Sequence, residues 1–221
     1  MKQIRLIGDS HGENQYYLKI AKKSEYSVQL GDLAFDYEFM KQLDADKHKV
    51  ILGNHDNYDR RDFPHNLGDY GTYTLNGIPF FFIRGGFSID FAYRLRREQS
   101  TGIKSFWVEE ELSLPRMAEC LEFYKSVKPE FLISHEPPAS IAKRIGNDFI
   151  LKEYGFNPKT FTTNTQELLQ ACISSYEPKL HVFGHFHANH DIIQGRTRFI
   201  CLNMIPRHRY FIDINENLEI L

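Results

Sequence analysis

The chain has 221 residues and a formal net charge of -2 at pH 7. Its hydrophobic content of 42% and charged content of 25% are ordinary for a globular protein, which excludes disordered and fibrous classes. The small net charge argues against broad electrostatic binding to nucleic acid or anionic membranes, and therefore against long duplex nucleic acid as a partner. The length fits one domain over residues 1–221 that buries a sizeable core.

The cysteines and the hydropathy pattern indicate where the protein resides. The three cysteines are odd in number and far apart, and no CxxC motif occurs, so we expect reduced structural thiols. Met1 leads almost at once into a strand pattern, which leaves no room for a signal peptide. No apolar run is long enough to span a bilayer. We therefore expect a cytoplasmic protein without a membrane anchor.

Strand and helix patterns alternate in the first third of the chain. Apolar runs predict strands at residues 4–7, 28–30 and 49–52, and the stretches 14–23 and 36–43 are predicted helices. Such alternation is typical of βαβ units and a largely parallel sheet.

Strand patterns become denser after residue 70. Residues 70–75 and 78–84 flank Asn76-Gly77, a strong hairpin signal, and the unbroken apolar run 80–83 predicts burial on both faces. Residues 87–113 are predicted to be irregular. The later predictions are a helix at 114–127, a strand at 131–133, a loop at 146–163, a helix capped by Asn164 or Thr165, a strand at 180–183, and antiparallel strands at 191–194, 198–202, 209–214 and 218–221. Together they predict a two-sheet α/β sandwich.

Five short polar motifs each follow one of the apolar strand patterns. They are Gly8-Asp9-Ser10-His11-Gly12, Gly31-Asp32, Gly53-Asn54-His55-Asp56, Ser134-His135-Glu136 and Gly184-His185-Phe186-His187. In an open α/β sheet the carboxyl ends of the strands face one crevice, so these distant residues are expected to meet. In four motifs a glycine directly precedes a polar residue, which lets the backbone turn sharply and approach a ligand closely.

The polar residues of these motifs are suited to metal binding. Asp9 and His11 are two positions apart, as are His185 and His187, so on extended backbone each pair points to one face. The two aspartates, one asparagine and four histidines are too many ligands for one tetrahedral zinc ion. Two ions that share a carboxylate would use them all. Ions about 3.5 to 4 Å apart clamp a phosphorus centre for in-line attack by a water that they activate.

The ordered motifs resemble those of the calcineurin-like metallophosphoesterase family from Asp9 to His187. The resemblance implies a four-layer α/β/β/α sandwich with two mixed sheets and a dinuclear centre. The implied ligands are Asp9, His11 and His187 for the first ion, Asp32 as the bridging carboxylate, and Asn54, His135 and His185 for the second ion. The mixed oxygen and imidazole ligands suit Mn²⁺, Fe or Zn²⁺. We place Mn²⁺ first, with Fe, Zn²⁺, Ni²⁺ or Mg²⁺ as alternatives.

The resemblance also implies residues that act on the substrate. Asn54 is implied to lie near the substrate phosphate, and His55 to contact the phosphate and protonate the leaving oxygen. Asp56 is implied to orient His55. A positioned imidazolium can donate a proton to the oxygen on which charge develops, and a neighbouring carboxylate favours the charged imidazole. His55 and Asp56 are therefore the predicted catalytic pair.

Differences from the protein serine/threonine phosphatases favour a phosphodiesterase. That branch continues its second motif with Asp-Arg-Gly, whereas Asp32 is followed here by Leu33. It also has arginine before its third motif and glutamate at the end, where this chain has Leu52 and Asp56. Gly-Asn-His-Asp together with Gly-His-x-His is similar to the small phosphodiesterases. We therefore expect hydrolysis of a nucleotide or nucleic-acid-derived phosphodiester, with a metal-bridging hydroxide as the nucleophile.

Residues 87–113 resemble an insert found in some bacterial and phage-borne members of the family. The matching residues are Ser88, Ile89, Asp90, Arg94, Trp107 and Glu110. One interpretation is a substrate clamp, with Arg94 on a phosphate and Trp107 under a base. The alternative is a solvated loop anchored by a buried tryptophan.

Two other functions are compatible with the same motifs. A phosphomonoesterase acting on a small metabolite or a phosphoprotein would use the same metal ligands. Some proteins of this fold have lost ligands and serve as scaffolds, but here every expected ligand position is filled. The remaining histidines are interpreted as structural: His48, His65, His181, His190 and His208.

Overall fold

The strands and helices lie within residues 2–146 and 148–221, which are described by a computed structural model. The strands are β1 (Gln3–Ile7), β2 (Ser27–Gln29), β3 (His48–Val50), β4 (Tyr70–Leu75), β5 (Ile78–Ile83), β6 (Phe131–Ser134), β7 (Leu180–Phe183), β8 (His190–Gln194), β9 (Thr197–Cys201) and β10 (Phe211–Asn215). The helices are α1 (Asn14–Ala21), α2 (Phe91–Thr101), α3 (Leu114–Val127), α4 (Ala139–Ile145), α5 (Asp148–Glu153) and α6 (Asn164–Ser175).

The strands form two mixed sheets. The first sheet has the order β10-β1-β2-β3, in which β1, β2 and β3 are parallel and β10 is antiparallel to β1. The second has the order β4-β5-β6-β7-β9-β8, with a parallel centre and an antiparallel strand at each edge. The predicted α/β sandwich with two mixed sheets is confirmed.

Apolar side chains form a layer between the sheets and a layer on each outer face. Leu6 of β1 and Phe82 of β5 belong to the layer between the sheets. Ile7 packs with Tyr17 of α1 outside the first sheet, and Phe81 packs with α3 and α6 outside the second. Neighbours in β5 thus face opposite layers, which confirms that the run 80–83 is buried on both faces. Each such burial contributes about 1.5–3 kcal/mol.

Some predicted elements differ from the observed ones because the residues concerned do not place apolar side chains at a regular spacing. The insert is not irregular throughout, since α2 occupies Phe91–Thr101 and Arg94 is its one buried residue. The loop predicted at 146–163 contains α5, in which no residue is buried. The helix predicted at 36–43 is a 3-10 helix at Glu38–Gln42. The cap of α6 is Thr163, whose side chain accepts from the Gln166 amide. Hydrophobic spacing does not detect such elements.

The C-terminal strands divide between the two sheets. β8 and β9 form the predicted antiparallel hairpin, but β9 also pairs in parallel with β7. β10 crosses to the first sheet and pairs with β1, where Ile212 and Ile214 are buried. The strand predicted at 218–221 is limited to a bridge between Ile214 and Ile220. Burial of the β10 side chains beside β1 determines this arrangement, and that contact joins distant parts of the chain.

The three cysteines agree with the expected thiol state. Cys120, Cys172 and Cys201 are free and buried. Among the described residues, no helix combines the length and apolarity needed to cross a membrane.

His181 in β7 is a fully buried structural histidine. Its Nε2 lies 2.6 Å from Ser134 Oγ, and the Phe183 and Phe199 rings are adjacent. Burial lowers the pKa of His181 to about 3, whereas histidine in an unfolded chain has a pKa of about 6.5. Between these values the unfolded chain binds the extra proton. The contribution of neutral His181 to the stability of the folded protein is therefore complete above about pH 6.5 and is lost as the pH falls towards about 3.

We expect His181→Gln to weaken the acid dependence of the unfolding free energy. Below about pH 6.5 the wild-type protein should lose up to about 1.4 kcal/mol more per pH unit than the variant. Urea unfolding of the metal-free proteins at pH 6.5 and 5 measures this difference. His208→Gln, at an exposed position, is the control and should follow the wild-type protein. An unchanged slope in His181→Gln would contradict the prediction.

Candidate dinuclear metal centre

The five polar motifs lie at the carboxyl ends of five parallel strands. Asp9 follows β1, Asp32 follows β2 and Asn54 follows β3 of the first sheet, while His135 and His185 lie at the ends of β6 and β7. The structure brings these side chains together where the two sheets meet. The convergence expected from the strand pattern is therefore present.

Four side chains form a first cluster of donor atoms. Their ligand atoms lie within 4.8 Å of one another, and the residues are Asp9, His11, Asp32 and His187. His187 Nε2 is 3.0 Å from Asp9 Oδ2 and 2.8 Å from His11 Nε2. His11 Nε2 is 3.6 Å from Asp32 Oδ2. Two carboxylates and two imidazoles thus face one point.

A second cluster shares Asp32 with the first. Asp32 Oδ1 is 3.3 Å from His135 Nε2, while its Oδ2 faces the first cluster. His185 Nδ1 is 3.2 Å from His135 Nε2. Asn54 Oδ1 is 2.9 Å from each of these nitrogens. The two oxygens of Asp32 are therefore placed as a bridge between the clusters.

The donor atoms fit two divalent ions. Nitrogen and oxygen donors about 2.0–2.2 Å from one ion lie about 3–3.5 Å apart. The separations within the second cluster, 2.9 to 3.3 Å, are close to this range. Imidazole, carboxylate and amide oxygen form a donor set that suits Mn²⁺, Fe or Zn²⁺. The structure thus brings the seven residues together in two groups that share Asp32, and their role as ligands stays a prediction.

Polar neighbours indicate which nitrogen of each second-cluster histidine is available. His135 Nδ1 donates to the Leu30 carbonyl at 2.8 Å, which leaves the Nε2 lone pair for an ion. His185 Nε2 lies 3.3 Å from Glu136 Oε1, which leaves Nδ1 for the same ion. Glu136 itself is fully buried and accepts from Thr163 Oγ1 at 2.7 Å. Such partners orient metal-binding histidines.

Glu136 is a site residue to which the sequence analysis gave no role. The available signal was its place directly after His135 in the fourth motif. Burial raises the pKa of Glu136 to about 8. Its contact with His185 joins two motifs, and no local spacing reveals that contact.

Opposite charges dominate the electrostatics of the centre. Burial alone would raise the pKa of Asp32, but the charges of His135, His55 and His11 hold it well below the ordinary value. Burial likewise opposes protonation of His135, yet Asp32 raises its pKa well above the ordinary value. A metal ion binds only the neutral imidazole, so binding displaces a proton from His135.

Glycines allow the motifs to pack closely against one another. Gly31 has φ of +101°, and a Cβ at this position would overlap the His135 ring. A Cβ at Gly53 would overlap the Asp32 carboxylate. Both positions therefore need glycine for space, and Gly31 also needs it for its backbone conformation.

Four of the predicted ligand residues have left-handed backbone conformations. Their φ angles are 45° for His11, 57° for Asp32, 66° for His185 and 48° for His187. The Asp9–His11 and His185–His187 pairs therefore meet through left-handed turns and not on the extended backbone that was expected. Each such residue costs about 1–3 kcal/mol, and this strain is typical of functional sites.

Asp56 joins the loop after β2 to the loop after β3. Its carboxylate accepts from the backbone amides of Asp32 and Gly53 at 2.9 and 2.7 Å, and from those of Leu33 and Ala34 at 2.9 and 3.2 Å. Among the described hydrogen bonds and ion pairs, none joins Asp56 to His55. The orienting role predicted for Asp56 therefore has no support in these contacts, because the backbone amides occupy the carboxylate.

His55 lies at the edge of the centre, half-buried. Its backbone amide donates to Asp32 Oδ1 at 2.7 Å, and its ring centroid is 5.4 Å from that of His11. Burial lowers the pKa of His55, and Asp32 opposes this effect. The imidazole is thus beside the clusters but is not among their donor atoms.

Arg94 and Trp107 are both buried and do not form an open clamp. The Arg94 side chain is 4% exposed and lies 2.9 Å from Glu110 Oε1. Trp107 is 3% exposed, with Lys104 Nζ 5.2 Å above its ring. These placements agree with the alternative interpretation, in which a buried tryptophan anchors the insert.

A cavity of about 650 Å³ opens beside the clusters. Its polar side includes Asp32, Asn54, His55, His185 and His187. Its apolar wall includes Phe87, Ile89, Ile145, Leu151, Tyr154, Phe161 and Phe186. Most of this wall comes from segments in which the sequence analysis found little periodicity, so the cavity was not predicted.

Comparisons with known proteins agree with this architecture. A sequence profile described as calcineurin-like phosphoesterase matches residues 2–189. No curated protein sequence matches significantly. A dimetal phosphatase from Danio rerio has a similar structure, with a TM-score of 0.53 and 14% identity over 96% of this chain and 92% of that chain. A phosphopantetheinyl hydrolase from Mycobacterium tuberculosis has a TM-score of 0.47 and 12% identity over 96% and 95%.

Proposed function

Because the chain belongs to the calcineurin-like phosphoesterase family and is a metal-dependent phosphoester hydrolase, we propose that its substrate is a phosphodiester. The substrate class is a nucleotide or a nucleic-acid-derived diester. The observation that carries this proposal is the cavity of about 650 Å³ that continues from the metal-binding residues. A phosphate group alone does not need this space, so the cavity can hold an organic group attached to the phosphate, which in a diester is the arm that remains after hydrolysis.

The aromatic part of the cavity wall suits a base or another flat apolar group. Phe87 and Phe161 have ring centroids 6.1 Å apart, and Phe156 supports Phe161 at 4.6 Å. Such rings bind flat groups through stacking and edge contacts. The basic residues of the cavity, Lys143 and Arg207, are exposed at its rim.

The charge distribution also favours a diester over a monoester. A monoester dianion is well held by the paired N–H donors of arginine. Arg94, the buried arginine nearest to Asn54, is occupied by Glu110. A diester carries one negative charge fewer on its phosphate, so it depends less on such a clamp.

Each residue of the centre has a distinct part in this proposal. When bound, the two divalent ions, of which we propose Mn²⁺, supply an activated water and neutralise charge on the phosphate. Asp32 holds the two sites at a fixed separation, and Asn54 orients the phosphate. His55 donates a proton to the leaving oxygen as the bond from phosphorus breaks. The products are a phosphomonoester and an alcohol.

A substrate comparison with Mn²⁺-loaded enzyme tests the proposal. We expect kcat/KM for bis-p-nitrophenyl phosphate to exceed that for p-nitrophenyl phosphate by at least about 10-fold. A preference for the monoester would favour a phosphomonoesterase. No turnover of either ester, with no metal bound, would favour a scaffold.

A second comparison tests the retained arm. Thymidine 5′-p-nitrophenyl phosphate and methyl p-nitrophenyl phosphate have the same leaving group, and we expect the nucleoside to raise kcat/KM by about 10- to 200-fold. Phe161→Ala should reduce that advantage. Phe123→Ala, at an exposed position in α3 outside the cavity, is the control. An equal effect of both substitutions would contradict base binding in the cavity.

A further inference from the structure

Three residues of the insert form a buried polar group against Asn54. They are Ser88, Arg94 and Glu110, and Asn54 is itself buried. Arg94 Nη1 lies 2.9 Å from Glu110 Oε1 and donates to the Asn54 backbone carbonyl at 3.1 Å. The insert and the third motif are thus joined by polar contacts away from solvent, where unpaired groups are costly.

The Ser88 hydroxyl uses all of its hydrogen-bonding capacity in this group. Burial raises the pKa of Glu110 to about 8, but the Arg94 guanidinium 2.9 Å from Oε1 favours the ionised carboxylate. An ionised carboxylate only accepts, so Ser88 donates its one proton to Glu110 Oε2 at 2.6 Å. It accepts from Arg94, whose guanidinium only donates. Its second lone pair accepts from Asn54 Nδ2 at 3.0 Å.

The direction of these bonds determines which end of the Asn54 amide faces the metal centre. If the amide turned over, its oxygen would face the Ser88 oxygen, whose proton is held by Glu110, and no hydrogen bond could form. In the observed orientation Oδ1 faces the second cluster, 2.9 Å from His135 Nε2. An amide oxygen can ligate a cation, whereas an amide NH₂ group only donates.

We propose that Ser88, Arg94 and Glu110 are positioning residues that fix the Asn54 amide and thereby preorganise the second metal site. These three residues then contribute to metal binding without touching the substrate. This inference rests on the proposed role of Asn54 as a ligand of the second ion.

The test measures Mn²⁺ bound per chain by equilibrium dialysis and elemental analysis. We expect Ser88→Ala to lower the affinity for the second Mn²⁺ by about 10- to 100-fold, as is typical when a ligand loses its partner. Ser105→Ala is the matched control and should bind as the wild-type protein does. Ser105 is a buried serine of the same insert whose hydroxyl has no hydrogen-bond partner among the described residues.

A double-mutant comparison separates amide orientation from general support of the fold. Asn54→Asp presents two equivalent oxygens, so turning the side chain over no longer removes a ligand. In that background we expect Ser88→Ala to change second-site affinity by less than about 3-fold. An equal loss in both backgrounds would overturn the proposal, because Ser88 would then act on the fold and not on the amide.

Asn54→Ala distinguishes failure of the positioning group from failure of the ligand assignment. If this variant binds both ions with wild-type affinity, Asn54 is not a ligand and both assignments fall. If Asn54→Ala loses the second ion but Ser88→Ala retains it fully, only the positioning proposal falls. Circular dichroism checks that each metal-free variant is folded. Ser88→Cys, close in size and a weak acceptor, should show the same loss and replaces Ser88→Ala if that variant does not fold.

Discussion

Asp32→Ala should remove metal pairing and catalysis together. The carboxylate faces both clusters, with Oδ2 3.6 Å from His11 Nε2 and Oδ1 3.3 Å from His135 Nε2. Without it neither ion is held at a fixed distance from the other, so activation of the water and charge neutralisation are lost. We expect kcat/KM to fall by more than about 10³-fold, and metal analysis to find fewer than two ions per chain.

A neighbouring aspartate provides the control for this substitution. Asp36 lies in the same loop, 62% exposed and paired with Arg60, so Asp36→Ala should retain both ions and full activity. Asp32→Asn keeps the shape of the side chain but not its charge, and should also lose turnover. Retention of two ions and activity in Asp32→Asn would show that the bridge is misassigned.

His55→Ala should lower turnover while both ions stay bound. Its imidazole lies beside the centre but is not among the donor atoms of either cluster. Loss of a proton donor reduces the rate by about 10²- to 10⁴-fold. The loss should be large for an alkyl leaving group and small for p-nitrophenolate, which departs without a proton. Steady-state kinetics with both classes of diester, beside metal analysis, measures this difference.

The dependence on the leaving group makes the prediction specific. An equal loss for both classes would assign His55 to binding the phosphate and not to protonating the leaving oxygen. Near-normal activity with the alkyl diester would remove His55 from the mechanism. Loss of metal in His55→Ala would instead indicate that the ring has a structural role, since alanine keeps the backbone amide that donates to Asp32.

The parts of the fold that were predictable carry local apolar signals. Helix α3 begins and ends where predicted, at Leu114–Val127, because its buried residues follow helical spacing. Helix α2 was not recognised because Arg94, a charged residue, is the one that it buries. The crossing of β10 to β1 depends on contact between the two ends of the chain, and no local pattern encodes it.

The candidate site was predictable to the extent that it follows strand ends. Each predicted ligand lies within four residues of the end of a strand, so residue type and position were sufficient to expect these residues in one place. Their division between two ions was implied by the family resemblance. The partners of those ligands were not predictable. Glu136 reaches His185 from another motif, and Asp56 accepts from the loop that follows β2. The charge of Arg94 suggested that it could bind a substrate phosphate, but it pairs with Glu110 in the interior.

The left-handed conformations of four predicted ligands affect how this protein can be engineered. Glycine or asparagine would occupy the backbone at His11 or His187 with less strain. A laboratory search guided by heat resistance alone is therefore drawn towards replacing the ligands themselves. The variants with the greatest heat resistance in such a search are those that no longer bind metal and are therefore inactive. Selection for a robust catalyst must score metal retention and thermal resistance in the same round.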